Sequence, residues 1–206
     1  MNHNNATMKI NLLILLCVIG VTSCNSQNRN DLLSMHFDQP ITVLIGEHKL
    51  EQFQDPNYGI YTYKTDQLDG FKIADIDLST YKYPNGPVAD FNRIQIYVDS
   101  RTSKKYLGFR YTTVRQDEIQ ELIASLKKNY PEFEQRKDSA GDVYLWDLKS
   151  LNAWLFYYPN HSVDGNGKDF LNSNFFYVKK GTRLDDSKDS SIPTIWQQID
   201  GLYPKD

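Results

Sequence analysis

Cysteine is nearly absent from this sequence. Only Cys17 and Cys24 occur among 206 residues. The chain after position 24 therefore cannot form a disulfide within itself, bind a metal through thiolates or use a thiol as a nucleophile. Histidine is also sparse there: His36, His48 and His161 are scattered, and no two have the i, i+4 spacing of a zinc-binding helix. The sequence predicts neither a metal site nor a cofactor site.

Excess positive charge and nucleotide-binding motifs are lacking as well. The formal net charge is -3, so the protein has no overall electrostatic attraction for nucleic acid or for anionic lipid, and we expect no nucleic-acid partner. Neither a P-loop nor a Gly-x-Ser-x-Gly nucleophile elbow occurs. With 40% hydrophobic and 24% charged residues, the composition is that of a globular protein and not of a disordered chain.

A long hydrophobic run occurs near the start of the chain. Lys9 precedes an apolar stretch over residues 10–21. This length is typical of a secretory signal peptide and is shorter than the about 20 residues that span a bilayer as a helix. The motif Val21-Thr22-Ser23-Cys24 ends the run. It resembles the lipobox of bacterial lipoproteins, in which an aliphatic residue and two small residues precede the cysteine that is lipidated.

The resemblance implies cleavage before Cys24 and attachment of lipid to its sulfur. Acyl chains contribute about 0.8 kcal/mol per buried methylene, so several chains hold a protein on a membrane. The expected organisation is a signal peptide over residues 1–23, which is removed, a polar tether over residues 24–31, and one α+β domain over residues 32–206. The membrane is thus an expected partner, reached through the lipid on Cys24.

The residue after the cysteine bears on the destination. In enterobacterial lipoproteins an Asp at this position is a retention signal, whereas Asn25 follows Cys24 here. The resemblance therefore favours the outer membrane of the cell envelope. Residues 1–7 add nothing to an export signal, and both Met1 and Met8 remain candidates for the start of translation.

The pattern beyond the tether predicts an α+β fold with an antiparallel, hairpin-connected sheet. Apolar and polar residues alternate along residues 92–98, and residues 105–112 follow a short polar turn as the hairpin partner. Further strands are predicted over residues 59–65, 71–78, 142–148, 152–158 and 174–179. The second of these changes phase near Ala74, which suggests a bulge. A division into two domains near residues 134–141 is the alternative.

Two helices are predicted with the sheet. Residues 113–129 form the central amphipathic helix, in which Thr113 and Gln116 make a capping box. Its apolar positions have the helical spacing i, i+3, i+4, i+7 and comprise Ile119, Leu122, Ile123 and Leu126. A short C-terminal helix is predicted over residues 192–199. Residues 41–46 fit either a short helix or a strand.

Aromatic residues are abundant, with 14 Tyr, 10 Phe and 3 Trp. If a hairpin turns at residues 149–151, Trp146 lies opposite Trp154 and Tyr144 opposite Phe156, so that four rings share one face. These four residues are the candidate binding surface, an exposed platform for a sugar ring, a peptide or a partner protein. The alternative, which we favour, is burial of one sheet face by the central helix and of the other by the C-terminal segment.

The lack of a usable thiol, of clustered histidines and of nucleotide-binding or metal-binding motifs favours a non-catalytic binding or interaction module of the cell envelope. Its ligand would be an envelope protein, a glycan or a peptide. Two alternatives remain open. One is an inhibitor or immunity-type protein that blocks a periplasmic enzyme. The other is a carboxylate-dependent hydrolase, in which Asp75 and Asp77 would share one face of a strand. A concave pocket with convergent carboxylates would favour the hydrolase, and a broad exposed aromatic face would favour the binding module.

Overall fold

The computed structural model describes residues 30–82 and 92–205. The predicted signal peptide, Cys24 and the tether up to residue 29 lie outside these ranges. A three-stranded sheet in the order β1-β4-β5 is formed by β1 (Asn30–Asp31), β4 (Phe71–Ile73) and β5 (Ile76–Asp77). The last two residues assigned to the tether are therefore paired with the domain. Within the described residues, no helix is both long and apolar enough to cross a bilayer.

An eight-stranded sheet forms the body of the protein. Its members in chain order are β2 (Glu51–Gln54), β3 (Tyr61–Thr65), β6 (Arg93–Val98), β7 (Tyr106–Thr113), β8 (Glu134–Asp138), β9 (Gly141–Leu148), β10 (Ala153–Val163) and β11 (Asp169–Lys179). They lie in the order β2-β3-β6-β7-β11-β10-β9-β8, and every pairing is antiparallel. The structure confirms the predicted α+β class and the antiparallel pairing of the sheet. Strands from both sides of residues 134–141 belong to the one sheet.

Three α-helices accompany the sheet in the described part of the chain: α1 (Thr42–Glu47), α2 (Gln116–Asn129) and α3 (Ile195–Leu202). The central helix α2 begins three residues later than predicted. Thr113 pairs with Ser173 in the ladder between β7 and β11, and Arg115 is the N-cap without a side-chain capping bond. The predicted capping box of Thr113 and Gln116 is therefore wrong, because strand pairing keeps Thr113 in extended backbone.

The two longer helices cover opposite faces of the sheet. The four apolar residues of α2 named above are all buried in one core, together with Ile94 and Ile96 of β6. Ile195 and Ile199 of α3 are buried in a second core with Tyr97 of β6. Since neighbouring residues of a strand point to opposite faces, these cores lie on the two sides of the sheet. We call them the α2 face and the α3 face.

The hairpin of β9 and β10 has a register one residue away from the predicted one. Leu148 pairs with Ala153, so the turn holds four residues, 149–152, where three were predicted. Asn152 closes this turn in the left-handed region at φ 52°, which Asn tolerates better than most residues. A shift of one residue moves every side chain of a strand to the other face. The four candidate rings therefore do not share a face.

The strand predicted over residues 71–78 is instead the tight hairpin of β4 and β5. Ile73 pairs with Ile76, and the turn between them contains Ala74 at φ 52°. The change of phase in the sequence thus marks a reversal of the chain, not a bulge. As a consequence, residues on either side of Ala74 lie on different strands.

Candidate functional site

Three of the four candidate rings belong to the core. Trp146 and Phe156 are fully buried, and Tyr144 is 8% exposed. Tyr144 and Trp146 lie on the α2 face, where the Trp146 indole N–H donates to the carbonyl oxygen of Tyr130 at 3.0 Å. Phe156 lies on the α3 face. The expectation of burial is confirmed for these three residues, and the four rings do not form an exposed platform.

The fourth ring, Trp154, is half-buried and holds α3 against the sheet. It stacks on Trp196 of α3 with ring centroids 4.1 Å apart and planes inclined by 15°. The Lys180 ammonium lies 4.6 Å from the Trp154 ring, and the Arg136 guanidinium lies 5.8 Å from that of Trp196. Stacked rings with nearby cations are stabilising contacts. Trp154 is thus a packing residue, and Trp196 is the partner that the sequence analysis missed.

A buried ion pair lies on the α3 face, at the centre of the sheet. Arg110 of β7 is 12% exposed and contacts the fully buried Asp55 at 2.9 Å. The same carboxylate accepts hydrogen bonds from the Tyr97 hydroxyl at 2.7 Å and from the Gln95 amide at 3.3 Å. Its other oxygen accepts from the backbone N–H of Asn57 at 2.8 Å. The cluster fastens the loop between β2 and β3 to the sheet.

The protonation states of this cluster are set by burial and by neighbouring charge. Burial raises the pKa of Tyr97 well above its usual value, so the hydroxyl keeps its proton and remains a donor to Asp55. Burial acts against the charge of Arg110, but its interactions with Tyr97, Tyr158 and Asp55 raise the pKa of the guanidinium above its usual value. The cluster is a set of mutually satisfied donors and acceptors, which is the condition for a stable buried ion pair.

A second buried polar cluster joins α2 to the sheet. The carboxylate of Glu118, in the first turn of α2, accepts hydrogen bonds from the hydroxyls of Tyr111 and Ser79 and from the amide of Asn92. The Arg115 guanidinium donates to the Ser79 hydroxyl at 2.9 Å. Burial raises the pKa of Tyr111, which keeps it a donor. The sequence contains no local signal for this role of Glu118, because Ser79 and Asn92 are distant from it in the chain.

The carboxylates considered for hydrolysis do not come together as expected. Asp75 lies in the turn between β4 and β5, and Asp77 lies in β5. Both are exposed, and they do not share the face of one strand, so the geometry on which that hypothesis depended is wrong. His161 belongs to β10, with its ring near the carbonyl oxygen of Ser139. Among residues 30–82 and 92–205, no three His, Cys, Asp or Glu side chains form a group suited to a metal ion.

An open cleft of about 460 Å³ lies at the ends of β2, β3 and β6. It is lined by Lys49, Leu50, Glu51, Lys64, Thr65, Asp66, Gln67 and Arg93. Lys64 lies opposite Glu51 on the neighbouring strand, and their charged groups are 3.2 Å apart. The Lys64 ammonium also lies 5.1 Å from the centre of the Phe53 ring. We call this feature the charged cleft.

The charged cleft differs from the two buried clusters in its exposure to solvent. The side chains of Lys64 and Glu51 are 39% and 68% exposed. Polar groups that converge on a concavity from separate elements are typical of ligand sites. The cleft is not predictable from local sequence patterns, because its described lining comes from three separate stretches of the chain. Comparison of the chain with protein-family models, with curated proteins and with solved structures found no match.

Proposed function

We propose that the protein is a lipoprotein of the bacterial cell envelope and that its domain is a non-catalytic binding module. The observation that carries the anchor is the sequence from Lys9 to Cys24, in which a positive residue, an apolar run and two small residues precede a cysteine. Lipid on Cys24 would hold the domain on the membrane. Asn25 after the cysteine favours the outer membrane.

The binding role is supported by where the domain places its polar groups. Asp55 and Glu118 are engaged in internal clusters that hold a loop and a helix on the sheet. Lys64 and Glu51 of the charged cleft, in contrast, are partly exposed to solvent at a concavity. A site of this kind can bind a ligand without any reacting group. We therefore propose the charged cleft as the ligand site, for an envelope protein, a glycan or a peptide.

Substitution of the cysteine tests the anchor. Cells that produce Cys24→Ala should release the protein from the membrane fraction or accumulate the uncleaved form, since no thiol is left to receive lipid. Incorporation of radiolabelled palmitate, followed by fractionation and immunoblotting, measures this. The matched control is Cys17→Ala, which removes the other cysteine and should leave cleavage, labelling and membrane attachment unchanged. A Cys24→Ala protein that stays membrane-bound at the cleaved size would contradict the proposal.

Affinity purification from solubilised envelopes tests the class of ligand. A tagged wild-type chain that recovers one protein in stoichiometric amount would place the domain with inhibitors or scaffolds. A variant carrying Lys64→Gln and Arg93→Gln provides the control, because a partner bound at the charged cleft should be lost with it. Recovery of the same partner by the wild-type chain and by the variant would show that the partner binds elsewhere on the domain.

A further inference from the structure

We infer that the domain presents its α2 face to the membrane and directs its α3 face away from it. This inference rests on the proposed lipid anchor at Cys24 and deepens it by naming the surface that lies next to the lipid. Two features carry it: the place where the chain joins the domain, and the number of residues between that place and the anchor. A partner in the aqueous compartment would then meet the α3 face first.

The chain joins the domain on the α2 side of the eight-stranded sheet. Asn30 and Asp31 form β1, which pairs in parallel with β4. The next two residues, Leu32 and Leu33, are buried in the core of the α2 face. The Tyr106 hydroxyl of β7 donates to the carbonyl oxygen of Leu32 at 2.9 Å and fastens this segment from within. The point of entry is therefore fixed.

The rest of the three-stranded sheet lies on the same side. Phe71 and Ile73 of β4 are buried in the core of the α2 face. The strand β5 lies against α2, and the hydroxyl of Ser79, just after β5, donates to the carboxylate of Glu118 in that helix at 2.8 Å. Since α3 covers the opposite face, the thickness of the eight-stranded sheet separates β1 from α3.

The connection between the anchor and β1 is short. Only residues 25–29 lie between Cys24 and Asn30. An extended chain advances by at most about 3.3–3.6 Å per residue, so the Cα atoms of Cys24 and Asn30 can be no more than about 22 Å apart, whatever conformation the residues between them adopt. A compact domain of this length is about 40 Å across. The connection thus reaches about half the width of the domain.

A connection of this length does not allow the domain to turn over. For α3 to face the membrane, the chain would have to run from the lipid around the edge of the eight-stranded sheet to Asn30, a path of about 60 Å, or half the circumference of the domain. Leu202 of α3 is 61% exposed, and its insertion into lipid would favour that orientation by about 1.5–3 kcal/mol. A contribution of that size cannot lengthen a covalent chain, so the connection decides the orientation.

Energy transfer from a labelled domain to a bilayer tests the inference. After cleavage before Cys24 the chain keeps that one cysteine, and its thiol would carry lipid, so an added cysteine is the only thiol open to a dye. Asp69→Cys labels the exposed turn before β4, whose first residue pairs with Asn30. Leu202→Cys labels the exposed end of α3. Each acylated chain is purified from membranes, labelled with a donor dye and reconstituted into phosphatidylcholine vesicles that contain acceptor-labelled lipid.

We expect more efficient transfer from the label of Asp69→Cys than from that of Leu202→Cys. Layers of secondary structure pack about 10 Å apart, so labels on the two sides of the sheet are separated by about 20 Å, and the efficiencies should differ at least about twofold. The matched control inserts about 20 Gly and Ser residues after Asn25, which extends the reach to about 90 Å and leaves the domain unchanged. With this insertion the difference between the two labels should shrink.

The outcomes separate the orientation from the anchor. Equal transfer from the two labels, or stronger transfer from that of Leu202→Cys, overturns the orientation while the anchor stands. A difference that the insertion leaves unchanged also overturns the inference, because the length of the connection then does not set the orientation. A chain without lipid stays outside the vesicles and overturns the anchor and the orientation together. Both substituted residues are exposed, and thermal melting of each variant checks that it is folded.

Discussion

Gly108 is a position at which the backbone leaves no room for a side chain. It lies in β7 at φ +149°, and a Cβ atom would be 2.1 Å from the backbone carbonyl oxygen of Tyr177 in β11. Backbone atoms of a central strand cannot move aside cheaply. Gly108→Ala should therefore lower the free energy of unfolding by about 3 kcal/mol, measured by urea denaturation.

The matched control for this prediction is Gly201→Ala. Gly201 lies inside α3, and no atom apart from its chain neighbours and the backbone of the helix itself is within 4 Å of the added methyl group. Alanine has the higher helix propensity, so this variant should gain about 0.5–1 kcal/mol. Equal urea midpoints for Gly108→Ala and wild type would show that β7 and β11 do not approach each other in this way.

The two tryptophans of the β9–β10 hairpin should respond differently to truncation. Trp146→Ala empties a fully buried site and should cost about 3–5 kcal/mol. Trp154→Ala removes a half-buried ring that stacks on Trp196. In a double-mutant cycle with Trp196→Ala, the coupling energy should be about 0.5–1.5 kcal/mol. If the losses in free energy of unfolding of the two single variants add up to that of the double variant, the stack does not stabilise α3.

Among the elements, the loop between β2 and β3 depends on the pair of Asp55 and Arg110. Arg110→Met leaves the buried carboxylate of Asp55 without its cation and should destabilise the protein by about 3–5 kcal/mol. The control Lys179→Met breaks an ion pair with the exposed Asp38 and should cost no more than about 1 kcal/mol. Chemical denaturation of both variants measures the difference. Comparable losses in free energy of unfolding for the two variants would show that burial does not make the Asp55–Arg110 pair more important than the Asp38–Lys179 pair.

The stability contributed by the contact between the edge strand β8 and α3 should depend on pH. Hydrogen bonds from Arg136 and Lys205 hold the pKa of Glu134 below its ordinary value of 4.5, and Arg136 also contacts Asp200 of α3. A carboxyl with a lower pKa in the folded state stabilises the fold above its unfolded pKa. This stabilisation is lost as the pH falls through the folded pKa.

Glu134→Gln tests this dependence. The variant should be less stable than wild type at neutral pH, and the difference should shrink below pH 4.5 and vanish once Glu134 is protonated in the folded protein. Urea midpoints across an acidic pH series measure it. A difference that stays constant down to the lowest pH would assign the effect to packing and not to charge.

The elements also show how far the sequence predicts this fold. Alternation and helical spacing predicted the main strands and the buried side of α2, because both follow from local periodicity. The register of β9 with β10 depended on whether the turn holds three residues or four, a choice decided by the conformation of Asn152. The clusters around Asp55 and Glu118 and the charged cleft join distant segments, so periodicity contains no signal for them.

At the scale of the whole molecule, the sheet is buried on both faces only as long as α3 is present. Ile195 and Ile199 pack against the core of the α3 face, and each buried isoleucine contributes about 1.5–3 kcal/mol. A chain that ends after Asp189 should therefore expose apolar surface, bind the dye ANS and associate. A chain that ends after Tyr203 keeps α3 and should remain monomeric and dye-free in size-exclusion chromatography. Indistinguishable behaviour of the two would contradict this role of α3.

The junction of β7 with β11 has a consequence for the kinetics of folding. Within each half of the sheet, neighbouring strands follow one another in sequence, except that β4 and β5 of the other sheet lie between β3 and β6. Thr113 and the Ser173 that pairs with it, in contrast, are separated by α2 and three strands. Closing so long a loop is slow, and non-local pairing delays folding to milliseconds or longer. Until it closes, β7 and β11, with 8 and 11 residues, each have an unpaired edge. These two edges are where an incompletely folded chain would pair with another and aggregate.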